Sequence, residues 1–200
     1  MLSTGYLFDL IVNEFGRILP VALVTLAVTV AGFRPLVRTL GTHPVVAAGL
    51  LLSAAAIAVV TLTKAPYAVG SPTGGSGFCL NAGWQPDWAP WPLTGAINGR
   101  SLNVWMFVPV GLFCALTGTR SVAGSLASRW TPVALTAVGA LVPLCIEAAQ
   151  RTLPLARLCD TRDVADNTYG LLIGAALGLA VRQILLRTTK PRTQEPATVA

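Results

Sequence analysis

The sequence predicts an all-α fold, a polytopic membrane bundle of five transmembrane helices. Of its 200 residues 54% are apolar and only 11% are charged, with a mean hydropathy of +0.67, whereas charged residues make up roughly a quarter of a soluble globular domain. Long stretches carry no charge at all: 25 residues separate Arg38 from Lys64, and 19 separate Arg100 from Arg120. Because a helix needs about 20 apolar residues to cross a bilayer, these stretches predict membrane spans.

The charge-poor stretches place the five spans at residues 16–33, 44–63, 101–119, 130–149 and 166–186. The first and last spans are short unless Arg17 and Arg182 extend their charged ends to the membrane interface, as long basic side chains do. The amino-terminal segment carries Asp9 and Glu14 but no base, unlike a signal peptide. The first span is therefore expected to remain in the protein.

The basic residues predict a bundle with its N-terminus outside and its C-terminus inside the cell. Eight of the fourteen bases fall on the loops and tail of one side: Arg34, Arg38, Arg120, Arg129, Arg182, Arg187, Lys190 and Arg192. The positive-inside rule makes that side cytoplasmic. Residues 1–187 then form one transmembrane domain, and the polar residues 188–200 form a disordered cytoplasmic tail. The net charge of +6 is attributed to anionic lipid, and no nucleic-acid partner is expected.

The predicted external loop at residues 64–100 interleaves tryptophan with proline. Trp84, Trp88 and Trp91 suit an aromatic belt at the membrane interface, and a lid over an external site is the alternative. Cys79 in this loop and Cys159 in the last external loop are candidates for a disulfide in an oxidising exterior. Two free thiols stay an open alternative, because the sequence does not supply the Cα separation that a disulfide requires.

Residues 145–170 hold seven of the chain's 22 charged residues within a predominantly apolar region. Glu147 and Gln150 are three positions apart, so they share one helix face at the outer end of the fourth span. An ionisable group in a membrane needs a partner or a watery cavity, which makes Glu147 a candidate functional residue. Arg157 and Asp160 lie in the connecting loop, within reach of the spans on both sides.

The fifth span carries a single stripe at steps of three and four residues: Asp163, Asn167, Gly170, Gly174 and Gly178. Small residues at this spacing allow two helices to pack closely in lipid. Asp163 and Asn167 should therefore face the same neighbouring helix as the glycines. Asn103, at the outer end of the third span, is expected at the same depth.

Simpler structural roles are open for several of these residues. Asp163 could cap the fifth span, with Asp166 complementing the helix dipole on its first turn. Glu147 could form only an interfacial ion pair with Arg151, four positions along the helix. Arg157 could be a loop base that extends to the interface.

The combined pattern resembles the VanZ family of bacterial membrane proteins. The resemblance covers residues 98–180 and rests on Asn103, Phe107, Pro109, Gly111, Glu147, Gln150, Arg157, Asp160, Asp163, Asn167, Gly170 and Gly174. It implies a multi-pass protein of the bacterial cytoplasmic membrane. It also implies an association with lowered susceptibility to the lipoglycopeptide teicoplanin, which is the property of the family's name-giving member.

The leading functional hypothesis is an external site that binds an envelope lipid, a cell-wall precursor or a lipoglycopeptide. Its predicted residues are Asn103, Glu147, Gln150, Arg157, Asp160, Asp163 and Asn167. The alternative is a membrane-embedded enzyme that uses two of the carboxylates on a lipid-linked substrate. Transport ranks last, because spans two and four carry few polar residues away from their outer ends.

No cofactor and no metal site are expected. The sole histidine, His43, falls in a predicted cytoplasmic loop, so a nucleophilic triad at the external site has little support. The sequence leaves open the ligand, whether a reaction occurs and the oligomeric state.

Overall fold

The computed structural model describes residues 4–63, 99–118, 126–153 and 161–188 of the chain. It contains six helices: α1 (Thr4–Thr39), α2 (Pro44–Leu62), α3 (Gly99–Leu116), α4 (Leu126–Gly139), α5 (Val142–Thr152) and α6 (Thr161–Thr188). These ranges contain no strand, which confirms the all-α prediction. Of the predicted tail at residues 188–200, Thr188 ends α6 and the rest lies outside the described residues, as does the tryptophan-rich loop.

Four helical segments are long and apolar enough to cross a membrane: Ile18–Thr39, Pro44–Leu62, Trp130–Gln150 and Arg162–Thr188. The shorter apolar helix Ser101–Leu116 coincides with the predicted third span. The described chain is thus a helical membrane protein, as its composition predicts. The count of five spans and the orientation stay predictions.

The fourth predicted span is broken into two helices, which the sequence reading did not anticipate. Helix α4 ends at Gly139, and α5 begins at Val142 with Pro143 in its first turn. Proline has no backbone N–H, so Pro143 cannot donate to the carbonyl of Gly139 in an α-helical pattern. The Leu141 amide instead donates to the Val138 carbonyl at 3.0 Å, a tighter turn that ends the first helix.

Helix α1 is longer than predicted and packs against α2 alone among the described helices. It continues past residue 33 through Arg34 and Arg38, whose side chains are exposed. The turn into α2 passes through Gly41, whose φ of 52° favours glycine. His43 then caps α2, because its Nδ1 accepts a hydrogen bond from the Val45 amide at 3.3 Å.

The closest helix pair is α3 with α6, which run parallel. A Cβ placed on Gly170 would overlap the Val104 carbonyl, and one on Gly174 would overlap the Val108 carbonyl. The predicted glycine stripe therefore lies directly against the backbone of α3. Gly111 contributes from the other side, since a Cβ there would overlap the Leu171 carbonyl of α6.

The apolar core lies where α2, α3, α5 and α6 meet. It consists of Ile57, Phe107, Val110, Cys114, Ile146 and Leu171. Phe107 and Leu171 are fully buried, whereas many large apolar side chains on the outside of the bundle are exposed. This distribution suits a bundle whose surroundings are lipid, because exposed apolar side chains cost nothing there.

Candidate functional site

We define the polar end of the bundle as the end formed by the carboxyl ends of α2 and α5 and the amino ends of α3 and α6. Two observations bring these helix ends together. A Cβ on Gly49, early in α2, would overlap the Phe113 ring, late in α3, so α2 and α3 are antiparallel. The Gln150 Nε2 atom, at the end of α5, donates to the Thr61 carbonyl oxygen of α2 at 3.2 Å.

Gln150 satisfies a backbone group that α2 leaves without a partner within the helix. The last four carbonyls of a helix have no intrahelical donor, and Thr61 is next to the last residue of α2. In lipid such a carbonyl must find its donor in the protein. The Thr61 hydroxyl is also satisfied, since it donates to the Ile57 carbonyl at 2.7 Å.

The face of α5 that lies toward the bundle interior carries both apolar and polar residues. Its buried residues follow helical spacing and are Pro143, Ile146, Glu147 and Gln150. Ile146 belongs to the apolar core. Glu147 directly follows it, and Gln150 lies about one turn closer to the carboxyl end of α5. Glu147 and Gln150 thus extend the core face of α5 into the polar end, with exposures of 4% and 6%.

Helix α6 begins at Thr161, five residues earlier than predicted, which changes the role of its acids. Asp163 lies within the first turn, so the interpretation of Asp163 as the N-cap is wrong. Asp166 and Asn167 are 4% and 3% exposed. They lie four and three positions before Gly170, so they flank the face that packs against α3. Asp163 is half-buried.

Helix α3 contributes a serine and an asparagine. Ser101 is buried, and it lies one turn before Val104, the residue whose carbonyl faces Gly170. Asn103 is half-buried. Because α3 and α6 run parallel in this register, Ser101 lies at about the level of Asn167.

Not all of the predicted site residues can be placed. Arg157 and Asp160 lie outside the described residues, as do both members of the predicted Cys79–Cys159 disulfide. The structure adds four buried polar residues that the predicted site did not include: Thr61, Thr63, Ser101 and Asp166. Only Asp166 carried a usable signal, its spacing of four positions before Gly170.

The two ionisable side chains that are buried in the described part of the polar end, Glu147 and Asp166, are both acids. The described residues contain no cluster of three or more His, Cys, Asp or Glu that could hold a metal ion. Within the described residues the buried Asn167 Oδ1 atom has no hydrogen-bond donor.

Comparison with protein-family models finds a match to VanZ/LLP1 over residues 49–182. The matched range covers about two thirds of the chain and extends well beyond residues 98–180, on which the resemblance rests. The chain belongs to the VanZ/LLP1 family. Neither the curated proteins nor the solved structures contain a significant match to it.

The VanZ/LLP1 match begins within α2 and ends at Arg182 in α6. It therefore contains all four helix ends that form the polar end, and it leaves α1 out. The part of the chain that defines the family is thus the core bundle, with α1 packed on its outside against α2.

Proposed function

We propose that this VanZ-like protein binds the polar part of an envelope amphiphile at the polar end of its bundle. The candidates are an envelope lipid, a cell-wall precursor and a lipoglycopeptide, and binding lowers susceptibility to teicoplanin-type glycopeptides. The polar end faces the outside of the bacterial cytoplasmic membrane in this proposal. Membership of the VanZ/LLP1 family supports it.

One observation carries the proposal: four helices of an apolar bundle bury polar side chains at the same end. These side chains are Thr61, Thr63, Ser101, Glu147, Gln150, Asp166 and Asn167. Burying a carboxyl or an amide costs free energy unless the group is hydrogen-bonded. Most of these groups have partners within the protein. Ionisable groups inside a membrane protein commonly mark a functional site, so their concentration at one end favours a binding role.

Drug susceptibility tests the proposal. Expression of the chain in a sensitive bacterial host should raise the minimal inhibitory concentration of teicoplanin. The Glu147→Gln variant, which keeps the shape of the side chain, should abolish that increase at equal membrane abundance. Gln183→Leu is the matched control, because Gln183 is exposed near the opposite end of α6. Full protection by Glu147→Gln would contradict the proposed site.

Thiol labelling tests the orientation separately. Cys114 is buried and Cys145 lies within the fourth span, so alanine at both positions leaves only the two predicted external cysteines. A membrane-impermeant maleimide added to intact cells should then label Cys79 and Cys159, after reduction if they form a disulfide. Labelling that requires the membrane to be opened would place the polar end in the cytoplasm and contradict the proposal.

An enzymatic function is the second candidate, and the burial of both Glu147 and Asp166 at one end favours it. Two carboxyl groups held in different environments can divide acid and base roles between them. Turnover of a lipid-linked envelope precursor by the purified protein, lost in both Glu147→Gln and Asp166→Asn, would establish this alternative. Binding of the precursor without turnover would leave the binding function in place.

A further inference from the structure

Asn167 carries an acceptor that the described part of the protein does not satisfy. The side chain is 97% buried, and its Oδ1 atom has no donor among the described residues. Buried acceptors are nearly always hydrogen-bonded, because a missing donor leaves the desolvation cost uncompensated. An unsatisfied acceptor inside a proposed binding site is therefore a place where a ligand can supply the donor.

The packing of α6 fixes the face of the helix on which Asn167 lies. Asn167 lies three positions before Gly170, and Gly170 lies against the Val104 carbonyl of α3. Both residues belong to one helical stripe, so Asn167 faces α3 toward the polar end. The glycine contact is too close for α6 to rotate this stripe away from α3 without separating the two helices.

The surroundings of Asn167 favour a cation over an anion. Glu147 and Asp166 are the ionisable side chains buried in the described part of the polar end, and both are acids. A phosphate or carboxylate placed against Asn167 Oδ1 would meet another acceptor. An ammonium group offers three N–H donors, and its positive charge strengthens the hydrogen bond to a carbonyl oxygen, since charge-assisted hydrogen bonds are stronger than neutral ones.

We propose that Asn167 Oδ1 accepts a hydrogen bond from a primary ammonium group of the ligand. The site thereby selects an amine-bearing head group over a fully methylated amine. This inference rests on the proposed binding function and specifies its ligand class. The ammonium can belong to a lipid head group or to a soluble amine, since both present the same N–H donors.

Two lipids that differ only in N–H donors provide the test. Dioleoyl phosphatidylethanolamine and dioleoyl phosphatidylcholine carry the same phosphate, chains and positive charge, but only the first can donate from nitrogen. Their binding to the full-length chain purified in detergent micelles is measured by native mass spectrometry. Glycerophosphoethanolamine, which has the head group without the chains, distinguishes a lipid from a soluble amine as the source.

The matched variants are Asn167→Leu and Thr42→Val. Each removes a buried side-chain oxygen that has no partner among the described residues. Thr42 lies in the α1–α2 turn, at the opposite end of α2 from Thr61. An effect of removing any buried oxygen would appear in both variants, whereas loss of the ligand's acceptor appears only in Asn167→Leu.

We expect the ethanolamine lipid to bind about tenfold or more tightly than the choline lipid, as the loss of a hydrogen bond to a charged group predicts. Asn167→Leu should abolish this preference, and Thr42→Val should retain it. Competition by glycerophosphoethanolamine would assign recognition to the head group alone, and its failure would assign it to the intact lipid.

Equal binding of the two lipids, or a preference that survives in Asn167→Leu, would overturn the inference. The proposed function would stand in that case, because the site would still bind an amphiphile. Binding of neither lipid nor of the soluble amine would also overturn the inference. The teicoplanin susceptibility test would then decide the proposed function independently.

Discussion

A single methyl group added at Gly174 should separate the two helices that position the candidate site. A Cβ on Gly174 would lie 2.8 Å from the Leu112 amide nitrogen and would overlap the Val108 carbonyl. Ordinary non-bonded contacts to carbon lie at about 3.5–4.0 Å, so the Leu112 contact alone requires α3 and α6 to move apart by about 0.7 Å, and the closer Val108 carbonyl requires more. The obstruction is backbone on the α3 side, which cannot rotate away as a side chain would.

The expected loss of stability follows from two opposing terms. Overpacking a well-packed interface costs about 1–3 kcal/mol, and replacing glycine by alanine in a helix recovers up to about 1 kcal/mol. A net loss of about 1–2 kcal/mol corresponds to a fall in Tm of about 2–8 °C for a chain of this size. Gly174→Ala should therefore unfold at a lower temperature than the unmodified protein.

Gly32→Ala is the matched control for this prediction. Its Cβ would contact only the Leu51 Cδ2 atom, at 3.8 Å, which is an ordinary van der Waals distance. It has the same gain in helix propensity without the clash, so its Tm should be unchanged or higher. Thermal unfolding of both variants in detergent micelles, followed by size-exclusion chromatography, makes the comparison. A Tm of Gly174→Ala equal to that of Gly32→Ala would refute the close packing of α6 on α3.

Two further substitutions test the side chains that satisfy helix-terminal carbonyls. Gln150→Leu leaves the buried Thr61 carbonyl of α2 without its donor, so it should lower the free energy of unfolding by about 1–3 kcal/mol. Gln183→Leu, at an exposed position, is the control, and an equal Tm for the two variants would contradict this prediction. At the other end of the bundle, Arg182 Nη1 donates to the carbonyl of Thr117, directly after α3, at 3.0 Å. Arg182→Met should therefore lower Tm by several degrees, and an equal effect of Arg187→Met, at an exposed position, would refute the specific role of Arg182.

The helical membrane bundle can be predicted from the sequence because the composition and the lengths of the charge-free stretches are read directly along the chain. It also contains the stripe of α6, because a helix places every third or fourth residue on the same face. What it does not contain is the identity of the neighbouring helix. Gly170 and Gly174 pack against α3, and the contacts are to backbone carbonyls of Val104 and Val108, which carry no sequence signature.

Helix boundaries explain most of the remaining differences at the candidate site. Placing the start of the last helix at residue 166 made Asp163 a capping residue and Asp166 a first-turn acid. The helix begins at Thr161, so one additional turn carries Asp166 into the buried part of the polar end. Thr61 contacts Gln150 through its backbone carbonyl oxygen. Every residue type has this group, so the sequence gives no signal for the contact.

The break between α4 and α5 was present in the sequence as Gly139 and Pro143. An apolar stretch of the right length predicts a membrane span, but hydropathy does not report whether the helix is continuous. Pro143 lacks the donor that would continue the helix, and the chain forms a turn there. The helix that carries Glu147 and Gln150 therefore begins only after this turn.

The most direct test of the account is a crystal structure of the chain grown in a lipidic mesophase that contains envelope lipid extract. We expect non-protein density at the polar end, with a donor group of the bound molecule within hydrogen-bond distance of Asn167 Oδ1 and close to Glu147 and Asp166. A structure in which a protein group donates to Asn167 Oδ1, with no bound molecule at the polar end, would contradict the proposed site.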